Sequence, residues 1–172
     1  DFCEIILEDV HIAEGNVLGE VGGGFRIAME TLNNGRINIA AQAVGIARRA
    51  LHEMKEYARS RKAFDKRLMD IDEKAKKIAW LETQVEAAWL MVLRASQAKD
   101  GGGDYRVEAS QAKLFASRVA KETADFFSEF AGGVGYTLEY IAERIHQDAR
   151  ATLIYEGTSD IQELVIAKSF RD

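Results

Sequence analysis

The absence of proline is the feature that most constrains what this chain can fold into. The 172 residues include 14 glycines but no proline, whereas average usage predicts roughly 9 prolines in a chain of this length. Proline interrupts helices, and many of the glycines gather at positions 22–24, 101–103 and 132–135. The pattern predicts long helices that end at glycine-rich connections.

Three long apolar stripes agree with that prediction. Apolar residues recur at the three-, four- and seven-residue spacings of amphipathic helices over 32–57, 71–95 and 112–130. A last helix is predicted to begin near Ser159, because Ser159 and Gln162 have capping-box spacing and an apolar face follows. Helices of this kind bury their stripes against one another. We therefore expect an all-α fold, an up-down four-helix bundle with a short helical excursion around residues 137–146.

The first residues follow a different pattern. Residues 2–12 are largely apolar without helical period, which predicts one or two extended segments that need partner strands to form a sheet. Such a beginning is typical of a segment cut from a longer protein.

Charge and cysteine content narrow the function classes. The net charge is −5, and an acidic balance argues against a nucleic-acid partner. Cys3 is the single cysteine, so an intrachain disulfide is excluded. No apolar run approaches the roughly 20 residues of a membrane-spanning helix. We expect an intracellular, soluble protein of the cytoplasm or the mitochondrial matrix, without a membrane span.

Three groups of residues could carry chemistry. Glu156 lies in a turn before the last helix, where it is either a solvated carboxylate favoured by the helix dipole or a catalytic group. The basic run 59–67, which includes Arg61, either marks a solvated helix end or binds a phosphate. The glycine-rich loop 132–136 either caps a helix or approaches a nucleotide.

A helical bundle also raises the question of a di-metal site. Glu8 and His11, and likewise Glu143 and His146, have the Glu-x-x-His spacing of carboxylate-bridged metals. Residues three apart in an extended segment point to opposite faces, which argues against the first pair. Such a site also needs two more inward-facing glutamates, and the long helices carry their acids mainly on polar faces. We expect no metal.

A series of short strings, in this order and spacing, resembles the C-terminal α-helical domain of acyl-CoA dehydrogenases. The strings are Leu-Glu-Asp-Val at 7–10, Val-Leu-Gly-Glu at 17–20, Gly-Gly-Phe-Arg-Ile-Ala-Met at 23–29, Leu-Asn-Asn-Gly-Arg at 32–36, Tyr-Ala-Arg-Ser-Arg-Lys-Ala-Phe at 57–64, Gly-Gly-Val-Gly-Tyr at 132–136, Asp-Ala-Arg at 148–150 and Ile-Tyr-Glu-Gly-Thr-Ser-Asp-Ile-Gln at 154–162. The resemblance implies that residues 1–20 end the middle β domain and that residues 21–172 form the helical domain.

The resemblance implies a reaction for Glu156. In the family, the glutamate of the Tyr-Glu-Gly-Thr turn is the base that removes the α-proton of an acyl-CoA thioester, while the β-hydrogen leaves as hydride to N5 of FAD. The backbone N–H of Glu156 and a flavin hydroxyl would stabilise the enolate oxygen, and Gly157 would let the thioester approach closely. Some members carry the base before the arginine of the 32–36 string, where this chain has Gly35. Glu156 is therefore the predicted catalytic residue.

The resemblance also implies the remaining binding residues and partners. Arg61 matches an arginine that reaches the FAD pyrophosphate of a neighbouring subunit, which implies a homo-oligomer, a dimer or a tetramer. Electron-transfer flavoprotein is the usual electron acceptor, while related oxidases use oxygen. The expected acyl-CoA contacts are Asn33, Asn34, Gly35, Arg36, Tyr155 and Gly157. The expected FAD contacts are Arg61, Lys62, Phe64, Asp72, Glu129, Gly132, Gly133, Thr158 and Asp160.

Several residues, most of them acidic, depart from the family pattern. Asp65 replaces a usual glycine, Asp72 and Glu129 replace usual glutamines, and Gln147 replaces a usual arginine. Like charges about 4 Å apart cost on the order of 1 to 4 kcal/mol, so carboxylates near a pyrophosphate oppose its binding. The alternative to an enzyme is a non-catalytic assembly module whose FAD site has decayed.

Overall fold

The predicted apolar stripes fold as α-helices in the computed structural model, which describes residues 3–171. The helices are α1 Gly24–Ser60, α2 Asp72–Asp100, α3 Arg106–Ala131, α4 Ile141–Thr152 and α5 Ser159–Lys168. An antiparallel hairpin of β1 Lys62–Ala63 and β2 Lys66–Arg67 follows α1. Turns of 3-10 helix lie at Glu14–Asn16, Leu68–Asp70 and Gly132–Tyr136. The all-α prediction is confirmed.

α3 is the central helix of the bundle. α2, α4 and α5 all pack against it, and α1 reaches it where the Tyr57 hydroxyl donates to the Ala131 carbonyl at 3.2 Å. Short connections make the successive long helices antiparallel neighbours. The expected helical excursion around residues 137–146 contains the start of α4, which begins at Ile141 and continues to Thr152.

The buried face of α2 matches the predicted stripe. Leu81 is fully buried, and its neighbours on the same face are also inside. These buried residues, spaced by three or four, are Ile78, Leu81, Val85, Ala88, Val92 and Ala95. Burying one such face against α3 supplies the apolar contact that a helix of this length needs to be stable.

The buried face of α1 lies one residue away from part of the predicted stripe. Ala40 and Ala47 are completely buried, whereas Ile39 and Ile46 are only half-buried. More than half of the buried apolar residues in the described part of the chain are alanines. Small side chains let helix backbones approach closely, and the larger isoleucines then lie along the flanks. The sequence pattern favoured the larger residues and so displaced the stripe.

The predicted capping box at the start of α5 is wrong. Thr158 is the N-cap residue, no side chain caps the helix, and Ser159 is already helical. The Gln162 side chain is fully buried, and its amide donates to the carbonyls of Glu156 and Gly157. The turn before α5 therefore engages the Gln162 side chain that a capping box would need.

By its internal contacts, the chain divides into one unit that ends at Thr31 and another that begins at Leu32. In the first unit, residues 3–23 form no strand. Ile5 and Val21 expose 82% and 93% of their surface, so these apolar side chains lack cover within the unit. This agrees with an extended segment that needs partner strands.

Two expected absences can be compared with the described residues. Within residues 3–171, no helix has the length and apolar character needed to cross a membrane. No group of three or more histidine, cysteine, aspartate or glutamate side chains converges there as a metal site would require. His146 of the second Glu-x-x-His pair lies on α4, 3.0 Å from the Asp125 carboxylate.

Two leucines of α2 test the core. Leu81→Ala, at a fully buried position, should lower the free energy of unfolding by about 2 to 5 kcal/mol, because it leaves a cavity. Leu90→Ala, at a position that is 57% exposed on the same helix, should change it by less than about 0.5 kcal/mol. Chemical denaturation measures both, and equal losses would contradict the helix faces described above.

Candidate active site

The turn between α4 and α5 holds Glu156 in a strained backbone conformation. Glu156 has φ +54° and Gly157 has φ +92°, so two successive residues lie in the left-handed region. For a residue with a Cβ, this conformation costs about 1 to 2 kcal/mol. Strain of this kind persists only when the surrounding structure enforces it, and it is often found at functional sites.

Two buried side chains enforce this conformation. The Gly157 carbonyl accepts a hydrogen bond from Lys113 Nζ at 2.7 Å and another from Gln162 Nε2 at 2.9 Å. Gln162 Nε2 also lies 3.2 Å from the Glu156 carbonyl. Lys113 and Gln162 are both 0% exposed. The turn is thus fixed from α3 and from α5.

Gly35 of α1 provides the space for the Glu156 carboxylate. A Cβ at Gly35 would lie 2.2 Å from Glu156 Oε2, which is much shorter than a van der Waals contact. Oε2 is buried and has no hydrogen-bond partner among residues 3–171. A carboxylate oxygen in that state is costly to leave unsatisfied and is available to accept a proton.

Arg36 lies beside this carboxylate and is also largely buried. Its Nη1 donates to Asn33 Oδ1 at 2.8 Å and to Ser110 Oγ at 3.3 Å, which links α1 to α3. Its Nε has no hydrogen-bond partner in the described part of the chain. Burial lowers the pKa of the Arg36 guanidinium, and the negative charge of Glu156 opposes that shift. The site therefore retains a buried donor and a buried acceptor that have no hydrogen-bond partners among the described residues.

Lys113 supplies a second buried cation. Burial lowers the pKa of its ammonium to about 8, the positive charge of Arg36 acts in the same direction, and Glu156 opposes both. Glu156 is thus influenced by two cations that lose much of their hydration on folding. The balance of charge at the site favours an anion or a developing negative charge.

The other expected substrate contacts divide between two directions. Gly35 meets the Glu156 carboxylate, Arg36 interacts with its charge, and Asn33 accepts a hydrogen bond from Arg36. Gly157 follows Glu156 in the turn. Tyr155 is half-buried and its hydroxyl donates to Gln42 Oε1 at 2.6 Å; burial raises the pKa of Tyr155. Asn34 instead accepts a hydrogen bond from Lys99 of α2 at 2.6 Å, so its side chain is engaged away from Glu156.

The expected FAD contacts at the β1–β2 hairpin are all exposed. Phe64 and Asp65 form the two-residue tip with φ +52° and +61°, the geometry of a type I′ turn. Aspartate tolerates this conformation, but a bulky aromatic there is a conformational outlier. Phe64 is 95% exposed, and Arg61 and Lys62 are exposed beside it. Arg61, Lys62 and the ring of Phe64 are thus exposed together.

The glycine-rich loop lies at the same end of the bundle. α3 ends at Ala131, and its C-cap residue Gly132 has a φ of +63°, which suits glycine. The Tyr57–Ala131 hydrogen bond joins the last turn of α1 to the last residue of α3. Glu129, Gly132, Gly133 and, at the start of α2, Asp72 are exposed there. Seven of the nine expected FAD contacts therefore share this end.

Thr158 and Asp160 lie far from that end. They are exposed at the start of α5, beside the turn that Lys113 holds. Along α3, Lys113 and Gly132 are about 19 residues apart, or roughly 28 Å at 1.5 Å per residue. The structure therefore divides the expected cofactor contacts into two separated groups.

Four residues of the site were not predicted from the sequence. Lys113, Gln162, Ser110 and Gln42 all make hydrogen bonds described above. Lys113 did leave a signal, because it occupies the apolar stripe of α3 four residues after a buried alanine and three before another. A lysine in that position is rarely buried without a functional or structural reason.

Comparisons with known proteins show the family of the chain. Residues 22–170 match the family model described as the acyl-CoA dehydrogenase C-terminal domain. The chain is 43% identical to the caffeyl-CoA reductase-Etf complex subunit CarC of Acetobacterium woodii, over 95% of this chain and 43% of that one.

Solved structures give the same result. Butyryl-CoA dehydrogenase from Megasphaera elsdenii superposes with a TM-score of 0.94 at 40% identity, over 97% of this chain and 44% of that one. A glutaryl-CoA dehydrogenase from Mycobacterium smegmatis, in complex with FADH2, has a TM-score of 0.78 at 32% identity, over 83% and 37%. The chain thus spans less than half the length of each of these relatives. It belongs to the acyl-CoA dehydrogenase family, and residues 22–170 correspond to the family's C-terminal domain.

Proposed function

We propose that the complete protein is an FAD-dependent acyl-CoA dehydrogenase in which Glu156 removes the α-proton of an acyl-CoA thioester. The observation that carries the proposal is the Glu156 carboxylate seated against Gly35, whose oxygen Oε2 is buried and has no hydrogen-bond partner among residues 3–171. A group that must accept a proton needs such a free position. Relatives named for butyryl-CoA and glutaryl-CoA favour a short acyl chain.

The residues of this chain have distinct tasks in that reaction. Bound FAD supplies the hydride acceptor. Glu156 takes the α-proton, and Arg36 and Lys113 offset negative charge nearby. The N–H of Glu156 donates no backbone hydrogen bond within residues 3–171, so it is available to the thioester oxygen as charge develops there. Gly157 has no Cβ to obstruct that approach.

The exposed residues at the hairpin end fit a dinucleotide. Arg61 and Lys62 offer charge-assisted hydrogen bonds to a pyrophosphate, Phe64 offers a ring for stacking, and the backbone at Gly132 can be approached closely. Asp65 also has a local explanation, because the hairpin tip requires a left-handed residue there. Exposed carboxylates are screened by water and salt, which reduces their opposition to the phosphates.

The separation of the two groups of FAD contacts supports a homo-oligomer. A cofactor at the hairpin end and a cofactor at Glu156 would be different molecules, because α3 holds the two groups roughly 28 Å apart. Each FAD would then contact two subunits, as expected in a dimer or tetramer. Electron-transfer flavoprotein is the proposed acceptor, in line with the relative named as an Etf-complex subunit. That relative is a reductase, so the reverse direction is a second candidate.

Glu156→Gln tests the base. The variant should retain bound FAD, since a neutral amide of nearly the same size keeps the turn, but it should lose flavin reduction by acyl-CoA. Removing a general base typically costs about 10² to 10⁴ in rate. Anaerobic absorbance spectra of the complete protein, titrated with acyl-CoA thioesters of increasing length, measure both properties. Normal reduction in the variant would refute the assignment of the base.

Gly35→Ala tests the space that holds the carboxylate. The added methyl should displace Glu156 and slow flavin reduction by about 100-fold, because misplacement by about 1 Å is enough for such a loss. The midpoint of thermal unfolding should fall little, since the group that moves is the end of a flexible side chain. Gly45→Ala is the matched control in the same helix, where nothing lies within 4 Å. It should stabilise the protein by about 0.5 to 1 kcal/mol and leave flavin reduction unchanged.

Arg61→Met tests the cofactor end and the alternative of a non-catalytic assembly module. Losing a charge-assisted contact to a pyrophosphate should weaken FAD binding by about 10-fold or more. Arg59→Met is the control, because exposed Arg59 already pairs with Glu56. Equilibrium dialysis of the apoprotein with FAD compares them. A parent protein that binds no FAD would favour the assembly module, and equal losses in both variants would contradict a specific role for Arg61.

A further inference from the structure

We propose that Lys113 is a positioning residue that sets the place of the Glu156 carboxylate by holding the Gly157 carbonyl. This inference rests on the proposed function, since it concerns how the proposed base is held. The juxtaposition is a fully buried ammonium on α3 that donates to the carbonyl directly after the residue with the candidate carboxylate.

The backbone of the turn needs an external restraint. Glu156 and Gly157 both have positive φ, and a glutamate leaves that region readily when nothing opposes it. The Gly157 carbonyl is the point at which the surrounding structure acts, because Lys113 and Gln162 both donate to it. A rotation of this peptide would break both bonds and move the Glu156 side chain.

Lys113 lies on a face of α3 that also contacts α1. Ser110 and Lys113 are three residues apart on α3, so they share one face. Ser110 accepts from Arg36 of α1, and the next residue along α1 toward its start is Gly35, which the carboxylate contacts. The same face of α3 therefore sets both the helix that receives the carboxylate and the turn that presents it.

A neutral hydrogen-bond donor would be enough to hold the Gly157 carbonyl in place. The ammonium is instead buried at a cost in hydration, and it lies close enough to Glu156 for the two charges to influence each other. Its positive charge also offsets the negative charge of Glu156. Position and charge thus act on the same group.

Lys113→Met removes the ammonium and keeps most of the side-chain volume. In the complete holoenzyme, the rate constant of flavin reduction at saturating acyl-CoA should fall by about 100-fold, while the dissociation constant of acyl-CoA and the flavin content should change little. A crystal structure of the variant should show the Glu156 carboxylate withdrawn from Gly35. Lys121→Met is the matched control. Lys121 is a half-buried lysine roughly 12 Å farther along α3 that pairs with Asp125, and its variant should reduce flavin at the wild-type rate.

Three results for Lys113→Met would overturn the role of Lys113. The variant could reduce flavin at the wild-type rate, its slower reduction could be explained by weaker binding of FAD or acyl-CoA, or its Glu156 carboxylate could remain seated against Gly35. If Lys113→Met does not fold, Lys113→Gln decides, because it keeps a polar side chain but removes the charge and shortens the reach toward the Gly157 carbonyl; a wild-type rate there refutes the inference. Failure of the proposed function looks different, since flavin reduction would then survive Glu156→Gln or be absent from the wild-type protein.

Discussion

The carbonyl of Gly157 accepts two hydrogen bonds from side chains that lie wholly inside the protein, and the site depends on that arrangement. Without Lys113 and Gln162, a glutamate with φ +54° would have little reason to keep its conformation. Because the donors come from α3 and α5, the turn is tied to two helices at once. The packing of those helices against each other therefore becomes part of the geometry of Glu156.

The electrostatics follow from the same packing. Arg36 and Lys113 lose hydration as α1 and α3 come together, and burial lowers the pKa of each. Both cations interact with the charge of Glu156, whose Oε2 has no hydrogen-bond partner among residues 3–171. Such a set is unfavourable for stability alone, since buried charges are costly unless they are fully paired. The proposed function would account for it, because an acyl-CoA thioester would then bind among these charges.

Much of this arrangement could be predicted from the sequence, and the exceptions have physical reasons. The absence of proline and the apolar stripes located the long helices, because periodicity reports which face is buried. The resemblance singled out Glu156, Gly35 and Arg36, and the structure brings these three residues together. Periodicity could not find Lys113 as a partner of Gly157, because a hydrogen bond between residues 44 positions apart depends on how α3 packs.

Other differences arose from local competition for the same group. Gln162 has the spacing of a capping residue, but its amide is more strongly engaged by two carbonyls of a strained turn. Asn34 belongs to a string associated with the substrate pocket, yet Lys99 of α2 is within hydrogen-bond distance of it. Sequence spacing describes what a side chain can reach, whereas packing determines which of the reachable partners is present.

The alanine lining of the helix interfaces has a consequence for how this chain can diverge. At positions such as Ala40 and Ala47, which are completely buried, a larger side chain would overpack the interface and cost about 1 to 3 kcal/mol. Residues cannot be exchanged there one at a time for larger ones, so the spacing between helix axes resists gradual change. Substitutions accumulate more easily on the outward faces and in the loops. Descendants of this fold can thus acquire new surfaces while the distances between their helices stay nearly constant.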